Sequence, residues 1–393
     1  MSYLGVGTIS VPSPVSSVTT LPGTCSKPGF KLGNPYLRWS FDGHPNLGQP
    51  MTEPDDLDQY LAQFPRESPH LYLGPDSGGY WSNLSKQQNA ELVSLLGTCS
   101  TRDAIAATQP QHSEVIFSPK RAAALELLGL DGSEVAVDLG CMWGALTIPL
   151  AKQTARVLAV DQTLESLKFS EARAIEEDLD NVNFLRGNLR DLALPASTFD
   201  LAVVNGVLEW IPEVDPIVVD DYWHGAKERQ GAGDPGEVQI GFLRKVHASL
   251  RQAGRLFLAI ENRYDYKMFC GVPDPHTGTR FTTIAPRWLA NVISKVRRRR
   301  EYRTWIYSFA DIRKQLHRAG FSTVSLYACW PDYRQPEHIQ PYGAKNEHFR
   351  PMSSRRDGRR TFKATVANRL EWLLFKKLDI QSLAPSIIAI AEK

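Results

Sequence analysis

The sequence predicts an α/β fold built on a mostly parallel sheet, and two observations predict it. Val135-Ala136-Val137-Asp138 and Arg156-Val157-Leu158-Ala159-Val160-Asp161 are short apolar runs closed by a carboxylate, the pattern of strands buried on both faces. Between them, Gly140 and Gly144 bracket Cys141-Met142-Trp143, and the spacing of Leu146, Ile148, Pro149 and Leu150 fits a helix that starts near Gly144 and ends before Arg156. Strand, tight turn, helix and strand make one βαβ unit.

Such a unit is suited to a nucleoside. Glycines in the first turn let a ligand approach the backbone with no Cβ in the way, and a helix N-terminus offers unpaired N–H donors. An acid after the second strand can accept from both hydroxyls of a ribose. Asp161 is that acid, with Gln162 next to it. A dinucleotide site would need G-x-G-x-x-G. The pattern here is Asp138-x-Gly140-x-x-x-Gly144, so that fingerprint is absent.

The acid closing strand one, followed by Gly140 and Gly144, resembles motif I of the class I S-adenosylmethionine-dependent methyltransferases, [D/E]-x-G-x-G-x-G, with Met142 in place of the middle glycine. Later segments continue the resemblance in order. The stretch from Asn183 to Leu192 is similar to the family's third strand and adenine loop, which places Asn188 and Leu189 at the adenine. Leu194-Pro195, then Phe199-Asp200-Leu201-Ala202-Val203-Val204-Asn205-Gly206, resembles the fourth strand, with Asn205 and Gly206 beside the methionine part of the cofactor. Leu250 to Glu261 is similar to the approach to strand five. The resemblance covers about Ser118 to Gly271. It implies a Rossmann-like, seven-stranded, mostly parallel sheet with an antiparallel last strand, and S-adenosyl-L-methionine as cofactor, held by Asp138, Gly140, Met142, Gly144, Asp161, Gln162, Asn188, Leu189, Asn205 and Gly206.

Composition agrees with a large enzyme core. The chain of 393 residues balances Lys+Arg 45 against Asp+Glu 43, a net charge of +2. No global field gathers nucleic acid, so nucleic acid is not the expected partner. The five cysteines, Cys25, Cys99, Cys141, Cys270 and Cys329, are scattered with no C-x-x-C pair, which suggests neither a structural zinc nor a disulfide framework. No apolar run is long enough to span a bilayer. A cytoplasmic location is the expectation, and peripheral membrane contact stays open.

In chain order, residues 1–35 are rich in Ser, Thr, Pro and Gly and read as a flexible arm. Residues 36–117 read as a mainly helical, aromatic lid on the acceptor side. Within it, Leu57, Tyr60, Leu61 and Phe64 have helical spacing, and Ser85 to Leu96 reads as a serine-capped helix. The methyltransferase-like domain then runs from 118 to 393. It opens with a helix over Ser118 to Leu128 that has Pro119 at its first position and Gly129 as its stop.

Three insertions interrupt this domain, at 212–236, 262–306 and 331–383. Long loops at the carboxyl ends of strands are where α/β enzymes bind acceptors. The first insertion contains His224, a candidate base. The second opens with Glu261-Asn262-Arg263 and continues to Asp274-Pro275-His276-Thr277-Gly278. This pattern resembles methyltransferases of surface-polysaccharide synthesis. It implies His276 with Asp274 as an acid/base pair, because a sugar hydroxyl sheds its proton as it attacks a methyl group. Equally, the two residues could simply fix a Pro-rich turn. The run Lys295 to Arg303 reads as a solvated helix face, with a phosphate or membrane-surface patch as the alternative.

Ser308 to Phe321 has a serine cap, an acid three residues later and a glycine stop, which predicts a helix. Thr323 to Ala328 and Ser386 to Ala391 read as the last two strands. Tyr333, Tyr342, His348 and Arg350, from the insertion between them, are further acceptor-site candidates. The expected activity is methyl transfer from S-adenosylmethionine to a hydroxyl of a sugar or glycan, with a saccharide or small molecule, phosphate-bearing or not, as acceptor and no metal required. Small-molecule O- or N-methylation, RNA methylation and a non-catalytic scaffold are the alternatives.

Overall fold

The computed structural model describes residues 56–75, 81–82, 84–213, 217–218, 233–352 and 362–393. A ten-stranded sheet forms its centre, built from β1 (Arg66–Ser68), β2 (Leu71–Leu73), β4 (Val135–Leu139), β5 (Arg156–Asp161), β6 (Val182–Arg186), β7 (Phe199–Asn205), β9 (Leu250–Glu261), β10 (Thr323–Trp330), β11 (His338–Pro341) and β12 (Ser386–Glu392). The two-residue strands β3 (Trp81–Ser82) and β8 (Ile217–Val218) pair apart from it. The order across the large sheet is β1-β2-β6-β5-β4-β7-β9-β12-β10-β11. From β2 to β9 neighbouring strands run parallel. β12 enters antiparallel between β9 and β10.

Seven of these strands match the sheet that the sequence predicts, including the antiparallel β12. Three extend it. β1 and β2 add to the β6 edge, and β11 adds to β10. The expected count of seven is therefore corrected to ten. Leu71-Tyr72-Leu73 is too short to signal a strand by periodicity, and it is defined by hydrogen bonding to β6 at residues remote in sequence.

Alternation along the central strands sorts side chains into two layers. Val137, Leu139, Leu158, Val160, Ala202, Val204, Leu258 and Ile260 lie in one core, and Ala136, Val157, Ala159, Leu201, Val203, Phe257 and Ala259 in the other. Both faces are covered, which explains the unbroken apolar runs. A third cluster joins Leu84, Leu92, Leu96, Ala104, Ile105 and Ile116 from the helices before β4 to Trp143 and Phe169. These N-terminal helices therefore sit on the turn that follows β4.

Local signals set most helix ends. Ser85 caps Lys86–Ser94 in a reciprocal capping box with Gln88. Pro119–Leu128 is a 3-10 helix, capped by Ser118 and stopped by Gly129 at φ 53°. Phe309–Ala319 begins at Ser308 and ends at Gly320 with φ 114°. The helix after β4 is shorter than the sequence predicts, covering only Thr147–Ala151.

The arginine run is not simply a solvated face. Arg298, Arg300 and Arg303 are buried. Arg303 donates from Nε to the Pro212 carbonyl at 3.2 Å and from Nη1 to the Gly233 carbonyl at 3.0 Å. Arg300 lies 3.6 Å from Glu213. Inward arginines thus tie both ends of the first insertion to the domain, while Lys295, Arg297 and Arg299 stay exposed.

Candidate active site

The turn after β4 folds back on β5. Gly140 and Cys141 donate their amides to the Val160 carbonyl at 2.8 and 3.1 Å. Gly140 has φ +85°, and a Cβ there would lie 2.5 Å from Val207 Cγ2, so glycine is required on both counts. Met142 also has a positive φ, of 45°, which accounts for glycine at this point of the motif. Its amide donates to Asp161 Oδ2 at 2.9 Å, while Asp161 Oδ1 accepts from the Thr163 amide at 2.9 Å. Ser170 Oγ closes the turn by donating to the Met142 carbonyl at 2.8 Å.

Asp138 lies buried at the foot of this turn and accepts from Thr147 Oγ1 at 2.7 Å. Burial pushes its carboxyl up to about 6, against the lowering effects of Thr147 and Arg121. Cys141 is buried and its thiol pushed well up by desolvation, which makes it an unreactive packing residue. Arg121 reaches in from the 3-10 helix before β4. Its Nε and Nη1 are buried without a hydrogen-bond partner, and its charge is felt by Tyr333, Asp332 and Asp138. A buried guanidinium with free donors calls for an anion.

Asn188 is buried after β6, where its Oδ1 accepts from the Arg190 amide at 3.0 Å, and Leu189 is half-buried beside it. Gln162 is half-buried beyond Asp161. Asn205 and Gly206 stand at the carboxyl end of β7, with the Gly206 amide donating to the Ala259 carbonyl at 2.8 Å. Gly206 has φ +69°, and a Cβ there would meet Tyr333 Oη at 2.3 Å. The tyrosine ring therefore abuts the end of the strand.

Next to this point lies a buried acid/base cluster. His276, 3 % exposed, has Nδ1 3.2 Å from Asp274 Oδ1, and its Nε2 is 3.6 Å from Glu209 Oε1 and 3.5 Å from Glu261 Oε2. Trp210 packs edge-on against the imidazole, the ring centroids 5.2 Å apart. Tyr333 Oη donates to Glu261 Oε1 at 3.3 Å. Asp274 holds the turn as well as the ring, since it accepts from the His276 amide at 2.8 Å and from Thr277 Oγ1 at 3.0 Å.

Charge in this cluster is shared. Burial alone would lower His276, but the negative charge of Glu261 and contacts with Asp274 and Glu209 hold it well above the ordinary imidazole range. Burial raises Glu209 more than His276 lowers it. For Glu261 and Asp274 burial acts upward, but His276, together with Arg334 at Glu261 and Thr277 at Asp274, outweighs it and holds both below the ordinary carboxylate value.

The structure thus brings His276 and Asp274 to the carboxyl ends of β7 and β9, beside Gly206. His224 lies outside the described residues. Tyr333 is in the cluster, whereas Tyr342 stacks on Phe309 with centroids 4.1 Å apart, and His348 and Arg350 are exposed. Of the Glu261-Asn262-Arg263 segment, only the glutamate faces the cluster. Asn262 Nδ2 donates to the Ser382 and Ala384 carbonyls at 2.8 and 2.7 Å, and Arg263 donates to those of Thr283 and Ala285 at 2.8 and 2.7 Å. Sequence reasoning missed Arg121, Glu209 and Glu261 as site residues. Glu209 and Glu261 each follow a predicted strand and could have been found that way. Arg121 carries no local signal.

Parts of the chain are similar to known methyltransferases. A methyltransferase domain family matches residues 136–222. The chain is 36% identical to a trans-aconitate 2-methyltransferase of Azoarcus over 103 residues, which are 25% of this chain and 38% of that protein. It is 26% identical to a 23S rRNA (uracil(1939)-C(5))-methyltransferase of Hahella chejuensis over 185 residues, 46% of this chain and 39% of that protein. The chain spans half or less of the length of the curated relatives it matches first. An S-adenosylmethionine-dependent methyltransferase structure from Mesorhizobium loti aligns over 71% of this chain and 100% of its own, at 18% identity and a TM-score of 0.38. The buried Nε and Nη1 of Arg121, which have no hydrogen-bond partner, suit a ligand that carries a carboxylate, as S-adenosylmethionine does. Residues 136–222 thus lie in a methyltransferase domain of the S-adenosylmethionine-dependent kind.

Proposed function

We propose that this chain transfers a methyl group from S-adenosylmethionine to a hydroxyl, on a sugar or glycan. The observation that carries this reading is the buried cluster of His276, Asp274, Glu209 and Glu261 at the carboxyl ends of β7 and β9. Asp161 would hold the ribose hydroxyls, the Gly140 to Gly144 turn would pass close to the nucleoside, and Asn188 and Leu189 would line the base. Arg121 would pair the carboxylate. The cofactor supplies, when bound, a methyl on a positively charged sulfur.

Positioning and proton removal fall to the chain's own residues. An acceptor hydroxyl at the cluster would donate toward Glu209, whose two oxygens are buried without a hydrogen-bond partner. Burial gives Glu209 the greater affinity for the proton. His276, anchored by Asp274, would orient the carboxylates and share that proton as part of one coupled unit. Trp210 and Tyr333 would shield the cluster from water.

The same unpartnered carboxylate favours one second reading, an amine acceptor, since an ammonium would pair with it. Incubation with methyl-tritiated S-adenosylmethionine and a panel of monosaccharides, nucleotide sugars, small alcohols and amines separates the two. Label on saccharides that is lost in Glu209→Gln supports the first, and label on amines alone supports the second. Absence of both label and S-adenosylhomocysteine binding would sink the methyltransferase reading.

A further inference from the structure

The cluster also has the composition and geometry of a metal site. Nε2 of His276 stands 3.6 and 3.5 Å from oxygens of Glu209 and Glu261. Charge-assisted hydrogen bonds are shorter, about 2.7–2.9 Å. With metal bonds of about 2.0–2.2 Å, two ligands at tetrahedral or octahedral angles lie roughly 3.0–3.6 Å apart. The observed separations suit an ion between the groups better than direct contact.

Independent of spacing, the oxygens have free valence. Both carboxylate oxygens of Glu209 and Oε2 of Glu261 are buried with no hydrogen-bond partner, and Glu209 is 1% exposed. Leaving such oxygens unpaired is costly. Tyr333 occupies only Oε1 of Glu261, so Oε2 is the one turned to His276. On the far side of the ring, Nδ1 faces Asp274 at 3.2 Å. A carboxylate behind a histidine is what fixes the tautomer and orientation of a metal-ligating imidazole.

We propose that Glu209, Glu261 and Nε2 of His276 bind one divalent cation, with Asp274 as a positioning residue. Two carboxylates and one imidazole suit the borderline ions Mn2+ and Zn2+. As the ion enters, any proton on Nε2 leaves to solvent and its lone pair goes to the metal. This assignment departs from the metal-free expectation of the sequence. It deepens the methyltransferase reading, on which only its catalytic meaning rests, because a hydroxyl at a vacant coordination position is more acidic.

The test is titration of the chelator-stripped full chain with MnCl2, followed by electron paramagnetic resonance. One Mn2+ per chain is expected, with affinity at least about tenfold weaker in Glu209→Gln and Glu261→Gln, each retaining the wild-type circular dichroism spectrum. Absence of stoichiometric Mn2+ binding by the wild type, or equal binding by both folded variants, overturns the site. The wild-type stoichiometry decides the matter even if a variant fails to fold. S-adenosylhomocysteine titrated into the same wild-type sample keeps the two readings apart. Its binding without Mn2+ binding overturns the ion site alone, and Mn2+ binding without it supports the ion site while removing the methyltransferase reading.

Discussion

The amide of Met142 donates to Asp161 Oδ2 at 2.9 Å, so the carboxylate proposed to hold the ribose also shapes the turn after β4. Asp161→Ala should therefore act twice. Loss of charge-assisted hydrogen bonds, about 1.5–3 kcal/mol each, is expected to weaken S-adenosylhomocysteine binding by a factor of ten or more in calorimetric titration. Thermal stability of the ligand-free chain should fall as well. Unchanged affinity would mean that the ribose lies elsewhere.

Arg121 should show opposite signs for stability and binding. Its buried guanidinium has donors without partners in the ligand-free chain, so Arg121→Met removes a desolvated charge and should leave the melting temperature unchanged or raise it. Cofactor affinity should drop about tenfold or more, since an Arg–carboxylate pair is lost. A denaturation curve and a binding isotherm on the same sample check both halves. A large fall in stability with unchanged affinity would make Arg121 a structural residue.

Gly206→Ala is expected to be destabilising for two separable reasons. The backbone sits at φ +69°, and the new Cβ would meet Tyr333 Oη at 2.3 Å. A left-handed residue costs roughly 1–2 kcal/mol, and the clash adds to it. Combining it with Tyr333→Leu should recover the clash component only, a non-additivity that urea denaturation of the double-mutant cycle would reveal.

Asp138 predicts a pH signature. Its folded carboxyl keeps its proton up to about 6, whereas an unfolded aspartic acid releases it near 3.9. Between those values the unfolded chain binds fewer protons than the folded one, so this residue's contribution to stability falls as pH rises from about 4 to 6. The difference in unfolding free energy between wild type and Asp138→Asn should shift in favour of the variant across that window and be flat above it. A difference that stays constant from pH 4 to 7 would show that Asp138 ionises normally.

How much of this was legible in the sequence varies with the range of the interactions. The βαβ unit was readable because apolar runs, turn glycines and a closing acid lie within one short stretch, and each reports its own environment. Helix caps at Ser85, Ser118 and Ser308 and stops at Gly129 and Gly320 are equally local. His276 and Asp274 were readable as a pair because a single residue, Pro275, separates them. Their turn role and their ring contact turned out to coexist in one carboxylate.

The sequence by itself determined the mostly parallel core, by resemblance its antiparallel last strand, and the acid that closes β5 at Asp161, since the core and the acid depend on patterns within a few residues. Tertiary structure alone decided what meets at the site. Glu209, Glu261 and His276 converge because β7 and β9 are neighbours and the loop after β9 folds back over them, and Arg121 arrives from the 3-10 helix that precedes β4. The edge strands β1, β2 and β11 likewise exist through pairing with residues remote in sequence. Inward burial of Arg300 and Arg303 also depends on carbonyls and a carboxylate that a linear charge count does not contain.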